Sequence, residues 1–172
     1  MSVLMPCIVA VNVMAADKYT VSINTNGLRN VELADKSSAF LLEPGPHWLG
    51  NFPFSIIIGN EPKGSGEWIF VRECSWSLSP NHPKVPPSAE EADVNPKTGD
   101  STTVTLNGYD EWGKMYTLTA TVQWTEVNKD TKIQRPGSTP IVATCSIKLL
   151  AVRPEATFFV DQPEPGLSLI HI

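Results

Sequence analysis

Two cysteines, Cys74 and Cys145, are the residues whose types and spacing most clearly suggest covalent chemistry. Each lies at an apolar position of a segment that alternates apolar and polar residues, so both thiols are predicted to point inward. The third cysteine, Cys7, lies in an N-terminal run that we expect to be removed, and the even count that remains favours a disulfide. We therefore predict a Cys74–Cys145 bond. The alternative is two separate buried thiols that pack as small hydrophobic groups.

A polar turn around Trp112 is the second candidate. Its polar neighbours are Asn107, Asp110 and Glu111. An open indole face beside such groups can stack on a sugar ring while the groups bind its hydroxyls. The alternative is an indole that folds back over the core. We predict this second arrangement, with Trp112 mostly buried and no glycan bound by the turn.

The long segment of residues 80–100 is predicted to be an irregular, acidic loop. Oxygen ligands for calcium could come from Glu90, Glu91, Asp93, Asn95 and Asp100. Its weak calcium candidates are Asp93, Asn95 and Asp100. The fixed spacing of a calcium-binding loop is missing, so we expect a solvated loop, with no metal and no other cofactor.

No combination of residues predicts an enzyme. The histidines, His47, His82 and His171, have neither metal-ligand nor catalytic-triad spacing, and we expect neutral surface side chains. The sequence also lacks a nucleophile elbow, a zinc-protease motif and a phosphate-binding glycine loop. We therefore predict a non-enzymatic protein.

The elements that must position these residues are β-strands. Residues 116–125 alternate apolar and Thr- or Gln-type residues without an error, and residues 141–149 place apolar side chains and Cys145 on one face. Residues 68–78 repeat the pattern, broken only by Arg72. About seven short strands separated by turn residues predict an all-β fold, an antiparallel immunoglobulin-like sandwich of seven to nine strands.

Three segments carry a resemblance to a known family. Residues 74–80 (CSWSLSP), 98–104 (TGDSTTV) and 115–122 (MYTLTATV) follow the order seen in bacterial immunoglobulin-like and PKD-like domains. The resemblance covers residues 68–153. It implies an extracellular module, often one of several in a large surface protein, and it implies no catalytic residues.

The domain organisation is predicted from the ends of the chain. Residues 1–16 form a charge-free apolar run ending in small residues, which resembles a signal peptide whose basic start is missing. Residues 17–160 are predicted to be the sandwich domain. Residues 161–172 are predicted to be a linker followed by an artefactual tail, so the natural chain would continue beyond residue 166.

The charge and hydropathy of the chain limit the kinds of partner that it is expected to bind. The net charge of −5 comes without a basic cluster, which excludes a nucleic-acid footprint, and no apolar run is long enough to cross a membrane. We predict a secreted or cell-surface module that serves adhesion or acts as a spacer. Its expected partners are neighbouring domains, a cell-surface protein or a glycan. The alternative is a carbohydrate-binding module attached to a separate catalytic domain.

Overall fold

The structure is a computed structural model that describes residues 19–45, 49–85 and 90–153. These residues form strands joined by short turns. The strands are β1 Val21–Asn24, β2 Asn30–Glu32, β3 Ser38–Leu42, β4 Leu49–Ile58, β5 Trp68–Ser79, β6 Glu91–Asn95, β7 Ser101–Asn107, β8 Met115–Asn128 and β9 Ile141–Ala151, with a short 3-10 helix, Tyr109–Glu111, between β7 and β8.

The strands form two sheets that pack as a sandwich. One sheet has the order β1-β4-β7-β6 and the other the order β2-β3-β9-β8-β5. All pairs are antiparallel except β3 and β9, which are parallel. The order β1-β4-β7-β6 matches the A-B-E-D sheet of immunoglobulin-like sandwiches, and β5-β8-β9 matches the C-F-G sheet, which β3 and β2 extend beyond β9. The predicted fold class is confirmed.

The alternation read from the sequence determines which side chains form the core. The inward residues of β8, from Tyr116 to Trp124, are each at most 1 % exposed. Phe54 of β4 and Leu106 of β7 approach them from the opposite sheet and belong to the same apolar cluster as Tyr116. Burial of such side chains contributes about 1.5–3 kcal/mol each, so this interface is the main source of stability.

The sandwich has two ends, each containing a buried tryptophan. At the first end, which we call the Trp124 pole, the Tyr19 ring lies 5.9 Å from the Trp124 ring, and β9 begins opposite Trp124. At the other end, which we call the Trp112 pole, β9 finishes. There the carbonyl oxygen of Ala151 accepts a 2.7 Å hydrogen bond from the Gly113 N–H, next to Trp112.

The predicted disulfide is wrong, because Cys74 and Cys145 are free, buried thiols. Cys74 of β5 lies opposite Val122, and Cys145 of β9 lies opposite Ala120. The two strands therefore flank β8 within one sheet and are separated by two strand spacings, about 10 Å. A disulfide requires Cα atoms within about 7 Å. The predicted inward orientation is confirmed for both thiols.

One predicted irregular segment contains a strand. Within residues 80–100, β6 pairs with β7 and places Ala92 and Val94 in the core. Several other predictions lie outside the described residues: the signal peptide, Cys7, His47, His171 and the region after residue 153. Within the described part of the chain, no helix is long and apolar enough to cross a membrane.

Candidate functional site

Glu111 is a carboxylate buried at the Trp112 pole. It ends the 3-10 helix between β7 and β8, and it is only 1 % exposed. The hydroxyl of Tyr116 donates to Glu111 Oε2 at 2.7 Å and lies 3.0 Å from the Glu111 carbonyl oxygen. A tyrosine that bonds back to the chain a few residues upstream is the tyrosine-corner arrangement of immunoglobulin-like sandwiches. Here the corner also stabilises a buried charge.

Two further side chains reach the second carboxylate oxygen. His82 Nδ1 lies 2.7 Å from Glu111 Oε1, and Lys114 Nζ lies 3.4 Å from the same oxygen. The backbone of His82 is held in place, because its N–H and C=O groups both bond to Ala92 of β6 at 2.7 Å. The side chains of His82 and Lys114 are about half exposed, so the Oε1 side of the cluster opens towards solvent.

The electrostatics keep Glu111 ionised. Burial opposes its charge, but hydrogen bonds from Tyr116 and His82 and the charge of Lys114 outweigh burial and lower the pKa of Glu111. For Tyr116, burial and the adjacent carboxylate both raise the pKa, so its hydroxyl remains a hydrogen-bond donor. The result is a charged acceptor in a site shielded from water, where electrostatic interactions are strong.

Glu90 completes a group of three potential metal ligands. It lies just before β6 and packs against Gly108, where an added Cβ would come 2.5 Å from the Glu90 Cγ. One ligand atom from each of His82, Glu90 and Glu111 can be chosen so that all three lie within 4.8 Å of one another. Within the described ranges, these residues are the one group of three or more that meets this criterion.

The weak calcium candidates are distributed differently. The Asp93 carboxylate lies 3.1 Å from Lys97 Nζ, and the Asp100 carboxylate lies 2.5 Å from Arg72. Asn95 is the last residue of β6. The two carboxylates therefore have separate cationic partners. Neither belongs to the group of possible metal ligands at the Trp112 pole.

The turn around Trp112 does not form an open sugar platform. Trp112 is 0 % exposed and packs edge-on against Phe52, so the predicted burial of the indole is confirmed. Asp110 points to solvent whereas Glu111 points inward, and Asn107 belongs to β7. The aromatic ring that the turn exposes is Tyr109, over which the Arg153 guanidinium lies at 4.8 Å.

A second site for chemistry is the open hollow of about 510 Å³ beside Cys74. The Cys74 thiol lies 3.2 Å from Asp100 Oδ1, and Arg72 binds both Asp100 and Glu61. Burial, followed by the hydrogen bond to Asp100 and its charge, raises the pKa of Cys74 to about 11. The thiol is therefore protonated at neutral pH and unsuited to nucleophilic attack.

The polar cluster, by which we mean His82, Glu90, Glu111, Lys114 and Tyr116, was missed by sequence reasoning. His82 was expected to be a neutral surface histidine. Glu90 was considered only as an oxygen ligand in a calcium loop, and Glu111 only as a sugar-binding group. Their separation along the chain matches no motif. One signal was available: a tyrosine at the start of the β8 pattern, a few residues after a turn, is typical of a tyrosine corner.

Comparison with known proteins adds no relative. No family model matches the chain, and neither the curated proteins nor the solved structures that were searched include a significant match.

Proposed function

We propose that the chain is a non-enzymatic, exported module that acts as a spacer or adhesion unit in a larger surface or secreted protein. The observation that carries the proposal is the position of the first and last core strands. They enter and leave the sandwich at opposite poles. A domain built in this way extends a chain when it is placed between other domains.

The path of the chain supports a spacer directly. Val21 of β1 lies opposite Ile58 at the end of β4 that points to the Trp124 pole, where Tyr19 contacts Trp124. Ala151 ends β9 at the Trp112 pole. The central strand β8 has 14 residues. The entry point lies beside Trp124 and the exit point opposite Met115, so at about 3.3 Å per residue the two points are separated by about 30 Å along β8.

The last strand is also tied firmly to the body of the domain. β9 pairs with β8 along almost its whole length, and its final residues pair with β3 from Phe40 to Leu42. Tension applied between the two poles would therefore load many backbone hydrogen bonds together. This arrangement suits a spacer that has to keep its length.

A concatenated protein tests the spacer function. One, two and three copies of the full chain would be joined in series and measured by small-angle X-ray scattering. The maximum dimension is expected to grow by at least about 30 Å per added copy, the approximate separation of the entry and exit points at 3.3 Å per residue. Copies that fold back on one another, with no such growth, would contradict the proposal.

Export is tested separately. The apolar run of residues 1–16 supports secretion with cleavage after Ala15 or Ala16. N-terminal sequencing of protein collected outside a secreting host should therefore begin at Ala16 or Asp17. Retention of Cys7 in exported protein would contradict this prediction.

A further inference from the structure

We propose that His82, Glu90 and Glu111 form a binding site for a divalent transition metal, best suited to zinc, at the Trp112 pole. The site would be independent of the spacer function, because its ligands come from two connections at one end of the sandwich, β5–β6 and β7–β8. Its nitrogen ligand distinguishes it from the calcium site considered from the sequence. Calcium and magnesium prefer oxygen ligands, whereas imidazole favours zinc and related metals.

The geometry requires only small movements. The three ligand atoms already lie within 4.8 Å of one another. In a tetrahedral zinc site with bonds of about 2.0–2.1 Å, ligand atoms are separated by about 3.3 Å. The 2.7 Å contact between His82 Nδ1 and Glu111 Oε1 would open slightly to admit the ion. A water molecule would complete a four-coordinate site with three protein ligands.

Each of the three ligands makes contacts that restrain its position. His82 is held by its two hydrogen bonds to Ala92, and Glu90 by its packing against Gly108. Tyr116 binds Oε2 of Glu111 and leaves Oε1 directed at His82. A hydrogen bond that orients a carboxylate ligand in this way is a regular feature of metal sites.

Lys114 occupies the position of a competing cation. Its ammonium group lies 3.4 Å from Glu111 Oε1, the oxygen that would bind the metal, and its side chain is 47 % exposed. The ammonium group can therefore move into solvent when the ion binds. This competition gives the proposal a specific signature, since removing Lys114 should strengthen metal binding while it weakens the metal-free cluster.

The test uses the full chain without a polyhistidine tag, treated with a chelator and titrated with Zn²⁺ or Ca²⁺ in a calorimeter. We expect one saturable zinc site and at least tenfold weaker binding of calcium. His82→Asn and Glu90→Gln should each weaken zinc binding at least tenfold. The matched control, Glu91→Gln, should retain wild-type affinity.

Lys114→Met provides the second arm, because Glu111 is buried and substitutions of it also destabilise the fold. This variant should bind zinc several-fold more tightly than the wild type. Zinc should also raise the melting temperature of the wild type and of Lys114→Met but not that of His82→Asn, since an ion that binds only the folded state stabilises it. Absence of saturable zinc binding, equal affinity in His82→Asn, or calcium binding as tight as zinc would each overturn the proposal.

Discussion

Each pole buries a tryptophan, but the two poles differ in whether their buried polar groups are hydrogen-bonded. At the Trp112 pole a complete carboxylate is buried, and both oxygens of Glu111 accept hydrogen bonds. At the Trp124 pole the indole N–H of Trp124 is buried and has no hydrogen-bond acceptor among the described residues. The charged groups nearest to it in register, on Arg72 and its partner Asp100, remain partly exposed at the surface.

The difference shows what is needed to bury charge in a small sandwich. Burying an ionised carboxylate without partners is very unfavourable, so donors must arrive from several segments at once. The Trp112 pole meets this need with a tyrosine from β8, a histidine before β6 and a lysine before β8. An indole tolerates one missing acceptor, because the burial of its large apolar surface outweighs the cost.

The largest effect is expected from truncating the buried indoles. Trp112→Ala and Trp124→Ala should each lower the free energy of unfolding by about 3–5 kcal/mol, because each leaves a large cavity. Trp124→Phe should cost much less, about 1 kcal/mol, since it also removes a buried N–H without an acceptor. Urea denaturation would measure all three variants. A Trp124→Phe cost equal to that of Trp124→Ala would contradict this comparison.

The next effect concerns the buried charge. Glu111→Gln should lower the free energy of unfolding by about 2 kcal/mol at pH 7, because the amide presents a donor to groups that now donate to a carboxylate. The folded-state pKa of Glu111 lies below its ordinary value of 4.5, so its contribution is complete above pH 4.5 and is lost as the pH falls through the folded value. The difference in the free energy of unfolding between the wild type and Glu111→Gln should therefore become smaller as the pH falls.

A control for the charge lies in the same turn. Asp110 is exposed, so Asp110→Asn should change the free energy of unfolding by no more than about 0.5 kcal/mol. An equal effect of the two substitutions in denaturation curves recorded from pH 3 to pH 7 would contradict the role assigned to Glu111.

A smaller effect on stability is expected from the raised pKa of Cys74. Because the pKa of Cys74 rises from 9.0 to about 11 on folding, its contribution to stability is complete below pH 9 and is lost as the pH rises towards 11. Cys74→Ala should make this alkaline loss shallower without abolishing it, since the pKa of Tyr116 is also raised. A reductant should leave the free energy of unfolding at pH 7 unchanged. Destabilisation by reductant would instead indicate a disulfide.

The smallest effect is expected at the surface of the Trp124 pole. Arg72→Met should lower the free energy of unfolding by no more than about 1 kcal/mol, with a smaller loss at high salt, since its partners are partly exposed. Lys36→Met is the matched control, because Lys36 is 84 % exposed in its pair with Glu32 and should have no measurable effect. A larger cost for Lys36→Met than for Arg72→Met in thermal unfolding would contradict this ranking.

Much of the fold could be predicted from local pattern. The alternation in β8 correctly assigned the inward residues from Tyr116 to Trp124, and the alternation in β5 and β9 placed Cys74 and Cys145 on inner faces. Strand β6 was missed, because its short apolar pattern of Ala92 and Val94 lies among acidic and proline-rich neighbours. Its formation depends on pairing with β7, which the local sequence does not reveal.

The candidate site could be predicted only in part. Trp112 was correctly expected to be buried, since turns are commonly polar and the polar neighbours of the indole did not by themselves indicate a sugar site. The inward orientation of Glu111 was not expected, because acidic residues in turns are usually solvated. His82 and Glu90 approach it only because β6 pairs with β7 and His82 pairs with Ala92 of β6.

The sequence by itself determined that the chain forms strands and which face of each long strand is apolar, because side-chain alternation is a local property of extended backbone. The tertiary structure decided which strands are neighbours. It placed β8 between the two cysteine-bearing strands, which prevents a disulfide, and it brought His82 to Glu111 across the Trp112 pole. Both features depend on how two complete apolar faces pack together, and that packing involves every strand at once.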